Sequence, residues 1–268
     1  MFKSYNAKAT FFITGNSENK GPIDVTEEHI KVIKRMDSEG HQIASHTWTH
    51  LDLSKNIPPV YRRNQMWMNE MALRNIVGKI PTYMRPPYSS CNAESGCQQD
   101  MIDLGYHIVY FDVDTDDYQQ TTAEKIQNSK DWFKGNITKN GAIVAKDRFL
   151  SITHDIIEQT ANNLTEYMLS TLTQLGYKAV TVGECLGDPK ENWYRTADGK
   201  ESGSDNKTSG DDGKTSGGDS KKTGGDNKTS GGDDKSKSGS TSLTISNHGP
   251  MQLIGAMALF SLAFLHAF

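Results

Sequence analysis

Two histidines four residues apart, His46 and His50 in S-H-T-W-T-H, are the strongest local signal for chemistry in this sequence. On a helical turn that spacing projects both imidazoles from one face, where two neutral nitrogens can share one divalent metal ion. Two nitrogens leave the shell incomplete, so a carboxylate and water are expected to finish it. Such pairs also occur as core or surface histidines; the position of this one at the end of an apolar stretch favours the ligand role. A second candidate is His154-Asp155 in S-I-T-H-D, where a histidine closes an apolar run beside an acid and could act as a general acid. A structural histidine fits the same pattern. In R-P-P-Y-S, two prolines stiffen the backbone and aim Arg85 and Tyr88. The acidic run Asp112, Asp114, Asp116 and Asp117 before Tyr118 reads, by itself, equally as a solvated turn or a calcium-like loop.

Each cluster needs an element to hold it. ATFFIT and HQIASH carry the aromatic and β-branched residues of buried strands. Between them, Val25, Ile30, Ile33 and Met36 make a helical apolar face, with Asp24 or Thr26 as cap and Gly40 as stop. Residues 59 to 77 predict a second amphipathic helix facing inward through Met66, Met68, Met71 and Leu73. Further on, QQDMIDLG, TAEKIQNSKDWFKG and EQTANNLTEYMLSTLTQLG read as helices. YHIVYFDVD, AIVAKDRFLSITHD and YKAVTVGECLG read as strands. The alternation predicts an α/β fold with parallel strands. Every polar cluster above falls at a strand end, where catalytic groups collect in such folds.

Taken in order, the segments resemble the polysaccharide deacetylase family, the NodB homology domain of carbohydrate esterases, and especially its fungal-type chitin deacetylases, over residues 7 to 187. SHTWTH resembles the family's H-[ST]-x-x-x-H motif, which implies His46 and His50 as ligands of a zinc or cobalt ion. RPPYSS resembles R-x-P-Y, implying that Arg85 orients the catalytic base, that Pro87 and Tyr88 line the substrate, and that the Tyr88 N–H helps hold an oxyanion. DTDDY is similar to D-x-x-D-[WY]. There Asp117 would tune the acid, Asp114 would support it and Tyr118 would line the sugar groove. ITHD resembles L-x-H-D, making His154 the general acid with Asp155 beside it. The resemblance implies a distorted (β/α) barrel that removes N-acetyl groups from chitin or chito-oligosaccharides with metal assistance, leaving glucosamine. The family's T-F-D-D-G motif, which supplies the base and third metal ligand on the first barrel strand, does not occur in this chain. The expectation is a barrel lacking that strand, with the motif in an upstream segment. The alternative is a catalytically impaired, glycan-binding wall protein.

Composition divides the 268 residues into three stretches. Residues 1–198 hold 25 acids and 21 bases and so carry the whole net charge of -4. This mild acidity argues against a nucleic-acid partner. Residues 199–242 contain no apolar side chain, 11 glycines, and eight acids balanced by eight lysines. That composition predicts a disordered linker or stalk. Residues 243–268 carry no Asp, Glu, Lys or Arg and end in 18 mostly apolar residues. With Ser238, Gly239 and Ser240 upstream, they read as a glycosylphosphatidylinositol (GPI) signal in preference to a transmembrane helix. An extracellular, lipid-anchored protein is therefore expected, although no secretory signal follows Met1. Sequons at Asn136, Asn163, Asn206 and Asn227 agree with that route. Cys91 and Cys97 are spaced for a local disulfide in an oxidising compartment, which leaves Cys185 over.

Overall fold

The β-branched and aromatic run Thr10–Ile13 forms β1, buried at all four positions. It lies in a computed structural model that describes residues 1–17, 21–139 and 147–196, plus the backbone of 259–266. The predicted stalk, the sequons at Asn206 and Asn227, and Ser238, Gly239 and Ser240 lie outside the described residues. After β1 come β2 (Asn16–Ser17), β3 (Gly21–Pro22), α1 (Glu27–Ser38), β4 (Gln42–Ser45), α2 (Pro59–Val77), β5 (Ile80–Pro81) and β6 (Tyr83–Met84). Then follow α3 (Cys97–Asp103), β7 (His107–Ile108), β8 (Val113–Asp114), α4 (Ile126–Ile137), β9 (Phe149–His154), α5 (Thr165–Leu175) and β10 (Tyr177–Val180). The remaining elements are α6 (Val182–Leu186), β11 (Tyr194–Arg195) and β12 (Leu259–His266).

The main sheet runs β7-β6-β4-β1-β12-β9-β8, with β10 also paired to β12. β1 lies parallel to β4, β4 to β6, β6 to β7, and β8 to β9, as the strand–helix alternation predicts. β12 is antiparallel to its three neighbours. Leu259 to Phe264 pair with β9 from His154 to Phe149, while the other edge pairs first with β1 and then with β10. Part of the tail expected to form an anchor thus joins the two parallel halves of the sheet. The backbone explains why a strand sits there: β1 and β9 would otherwise present unpaired N–H and C=O groups along facing edges.

Four local expectations change. YHIVYFDVD is not one strand but β7 and β8, because the carbonyls of Val109 and Tyr110 turn towards the Arg85 guanidinium. VGECL is helix α6 and not strand: Thr181 Oγ1 accepts the Glu184 N–H, a T-x-x-E start, and Gly187 at φ 73° ends the turn. On α2, Met66 and Leu73 face the core with Asn69 and Glu70, whereas Met68 and Met71 are exposed. Val25 precedes α1 and is also exposed.

The core joins β1 and β4 to α1, α2, α4 and α5 through Phe12, Ile33, Ile43, Leu73, Phe133, Met168 and Leu172. A second cluster contains Leu53, Met66, Met84 and Met101 around the Cys91–Cys97 disulfide, whose Cα atoms lie 5.1 Å apart. Cys185 is buried and forms no disulfide among the described residues. Beside β1, the buried His41 accepts the Ala9 N–H at Nδ1 (3.1 Å) and packs edge-on against Phe2 and Phe11. Burial lowers its pKa to about 4 from 6.5. The unfolded chain therefore binds this proton more readily than the folded one, so the stabilisation is complete above pH 6.5 and is lost as pH falls towards 4. Asp112, raised to about 6 by burial, acts in the opposite sense as it protonates. Thermal melts should therefore show a shallower acid decline in His41→Gln than in the wild type. Identical acid slopes would refute this role for His41.

Candidate active site

β4 delivers His46 into a loop that is not the helical turn expected from the spacing of the histidines. Thr47 and His50 take left-handed backbone conformations, at φ 70° and 57°, and fold the loop so that the two imidazoles still meet edge-to-face, 4.9 Å between centroids. Strain in such residues persists only where the surroundings fix it. Here His46 N–H donates to Ile13 O, Gly15 N–H to Thr47 O and Asn16 N–H to Trp48 O.

His46 is fully buried, and its Nδ1 lies 2.7 Å from the Arg85 carbonyl. A carbonyl accepts only, so Nδ1 carries the proton and Nε2 keeps its lone pair. That Nε2 is buried and has no hydrogen-bond partner. Burial, reinforced by the neighbouring His50, holds the His46 pKa well below the ordinary value. Burial and then the charge of His154 lower His50 to about 4. Both rings are thus neutral, the form that binds metal. An orphaned buried lone pair beside a second neutral imidazole fits two corners of a divalent ion, with the carbonyl of Arg85 fixing the tautomer from behind. No group of three or more His, Cys, Asp or Glu side chains suited to a metal ion occurs among the described residues.

Arg85, at the end of β6, is 1% exposed, and its guanidinium lies 4.4 Å above the Phe12 ring. Nε donates to Val109 O (3.2 Å) and Nη2 to Tyr110 O (2.9 Å), while Nη1 is buried without a partner. Burial lowers its pKa to about 9, against the pull of Asp114, so it stays charged at neutral pH. Beyond it, Pro87 is buried and Tyr88, at φ 57°, is 46% exposed with its ring 4.8 Å from that of His50.

At the end of β9, His154 meets the acidic run. The Asp117 carboxylate is fully buried and takes three donors: His154 Nδ1 (2.6 Å), the His154 backbone N–H (2.7 Å) and Thr160 Oγ1 (2.7 Å). This set places a proton on Nδ1 and leaves Nε2 to accept or release another. Tyr118 packs edge-on against the same imidazole at 5.2 Å. Asp114 accepts the Asp116 N–H and lies within electrostatic reach of Arg85 and His154. Asp155 follows His154 but is not the carboxylate on its ring.

His46, His50, Arg85, Asp114, Asp117, Tyr118 and His154 therefore come from four strand ends to one region. The sequence reading missed Thr160, Phe12 and Asn69. Asn69 carried a signal, a polar residue on the α2 face shared with Met66 and Leu73. Gly15 is as constrained as the loop it touches. A Cβ there would lie 2.3 Å from the Trp48 ring and 2.6 Å from Asn69 Oδ1. Gly15→Ala is expected to cost about 1–3 kcal/mol, measured by urea denaturation.

The polysaccharide deacetylase family model matches residues 1–109. A chitin deacetylase of Colletotrichum lindemuthianum is 41% identical over 195 residues, covering 73% of this chain and 75% of that protein. A chitin deacetylase of a Pestalotiopsis species is 38% identical over 199 residues, 73% of this chain and 60% of its own length. The solved structure of the Colletotrichum lindemuthianum chitin deacetylase superposes with a TM-score of 0.66 at 40% identity, covering 72% of this chain and 82% of that one. With these likenesses, an α/β sheet with parallel strands on either side of β12 and strand-end clusters in the family's order, the chain belongs to the polysaccharide deacetylase family and is a hydrolase of that class.

Proposed function

We propose that the protein removes N-acetyl groups from chitin or chito-oligosaccharides, releasing acetate and leaving glucosamine units. The observation that carries this reading is the buried Asp117–His154 pair set within electrostatic reach of the neutral pair His46 and His50. His46 and His50 would hold a divalent ion, zinc or cobalt, which when bound polarises the amide carbonyl and makes water more acidic. The protein's own groups do the rest. Asp117 fixes the His154 ring and stabilises its protonated form, so that Nε2 donates to the departing amine. Tyr88 and Tyr118 would offer aromatic faces to the sugar, and the Tyr88 N–H would help bind an oxyanion. Arg85 keeps Nη1 without a hydrogen-bond partner, a donor that would be available to orient a carboxylate base. In the family's pattern that base and a third metal ligand belong to a T-F-D-D-G motif, which this sequence does not contain.

Acetate release from N-acetylglucosamine oligomers, with zinc or cobalt added, tests the reading. His46→Ala is expected to lower the rate at least 100-fold; equal rates with and without it would refute the ligand assignment. A second reading is a glycan-binding protein with impaired turnover, which follows from the absence of a T-F-D-D-G motif in this sequence. It predicts oligomer binding without acetate release.

The location proposed is extracellular, with a GPI anchor at the plasma membrane or in the wall. The Cys91–Cys97 bridge favours an oxidising compartment. Among the described residues no helix is long and apolar enough to cross a membrane. Anchor attachment would remove residues 259–266, and another strand would then have to pair with β1 and β9. Release of the protein from cells by phosphatidylinositol-specific phospholipase C is the expected result. Retention on the cell after that treatment would oppose the anchor.

A further inference from the structure

A chain of hydrogen bonds with a fixed direction runs behind the His46–His50 loop. Asn69, fully buried on α2, donates through Nδ2 to Ile13 O and to Ser45 Oγ, both at 2.8 Å. Ser45 Oγ is thereby an acceptor, and its side chain also interacts with the Tyr106 hydroxyl. The Tyr106 hydroxyl in turn donates to Glu70 (2.8 Å), which also receives Arg195 Nη2 (2.7 Å). The Asn69 amide N–H can only donate, and the Glu70 carboxylate accepts from both Tyr106 and Arg195, so the two ends of the network set its direction. Its front end ties together the last residues of β1 and β4, Ile13 and Ser45, which are paired in register. Ile13 O is also the acceptor of the His46 N–H at 2.9 Å.

We infer that Asn69 is a positioning residue for the histidine pair, acting through Ile13 and Ser45. This rests on the reading of His46 and His50 as metal ligands. By clamping two adjacent carbonyl and hydroxyl acceptors from the helix side, Asn69 holds the strand ends from which the left-handed loop departs. A leucine keeps the branching and number of side-chain heavy atoms but removes both donations, and the loop then loses the anchor that sets the spacing of its imidazoles.

The test uses the full chain with two readouts, hydrogen exchange of the His46 amide without metal and cobalt titration followed by visible absorption. Asn69→Leu is expected to speed His46 exchange and weaken cobalt binding, each at least tenfold, with an altered cobalt spectrum. Ser45→Ala, a milder change, should move both in the same direction about threefold. Ile76→Ala, which opens a cavity on the same helix away from the network, should leave the spectrum unchanged and both quantities within about twofold. If the Asn69 and Ser45 variants match the wild type, or if Ile76→Ala shifts the readouts as much as they do, the inference is overturned. If wild type binds no cobalt but His46 exchange responds to Asn69→Leu, the clamp stands and the metal reading of the pair falls.

Discussion

Replacing His154 by alanine is expected to lower acetate release by roughly 10²–10⁴-fold, the range for losing a general acid. The loss should fall on kcat, with KM little changed, because Tyr88 and Tyr118 remain to meet the sugar. Asp117→Asn should reach a similar loss by a different route. The Asp117 carboxylate accepts from the ring Nδ1, the His154 backbone N–H and Thr160. An amide has one accepting oxygen, so its NH₂ must face one of those three donors. The least costly escape is a flipped imidazole tautomer, which no longer has a negative charge to stabilise its protonated form. Thr160→Ala removes a single neutral donor and is expected to cost much less, within about tenfold. Initial rates on a defined N-acetylglucosamine oligomer, with folding checked by circular dichroism, give the answer. Activity of His154→Ala within threefold of wild type would remove His154 from the reaction.

Arg85→Ala is expected to have the largest effect on stability. It leaves the buried carbonyl of Val109 and the part-buried one of Tyr110 without their donor, at up to about 1–3 kcal/mol each. It also opens a cavity next to Phe12, over which the guanidinium lies. Together these approach the whole stability of a typical domain, about 5–15 kcal/mol. The consequence reaches the metal-binding pair, since the Arg85 carbonyl sets the His46 tautomer. Arg85→Lys keeps a charge but loses the planar fork, so it should fold with a lower urea midpoint and a lower rate. If Arg85→Ala unfolds at the wild-type urea concentration, the guanidinium is not the brace described here.

How far the site was legible depended on the distance between partners. His46 with His50 and the D-T-D-D-Y run stood out because their residues are neighbours in sequence. The pairing of His154 with Asp117 and not with the adjacent Asp155 did not. Asp117 lies 37 positions away and is brought to β9 by the pairing of β8 with it. Likewise, the inward face of α2 looked apolar through its methionines. The helix buries Asn69 and Glu70 instead, because Ser45 and Tyr106 wait there with matching donors and acceptors. The split of YHIVYFDVD followed from a buried arginine taking two carbonyls out of the ladder, an event that strand propensity does not register.

By itself, then, the sequence determined the kinds of groups available, their order along the chain, the alternation of strands with helices, and hence the family. Those properties depend on local composition and spacing, which survive whatever the chain packs against. Tertiary structure alone decided the left-handed loop that carries His46 and His50, the three-donor cradle of Asp117, the burial of Arg85 over Phe12, and the strand at Leu259–His266 between β1 and β9. Each of these satisfies a buried polar group or an open sheet edge with a partner far away in sequence, and burial is what makes the satisfaction obligatory.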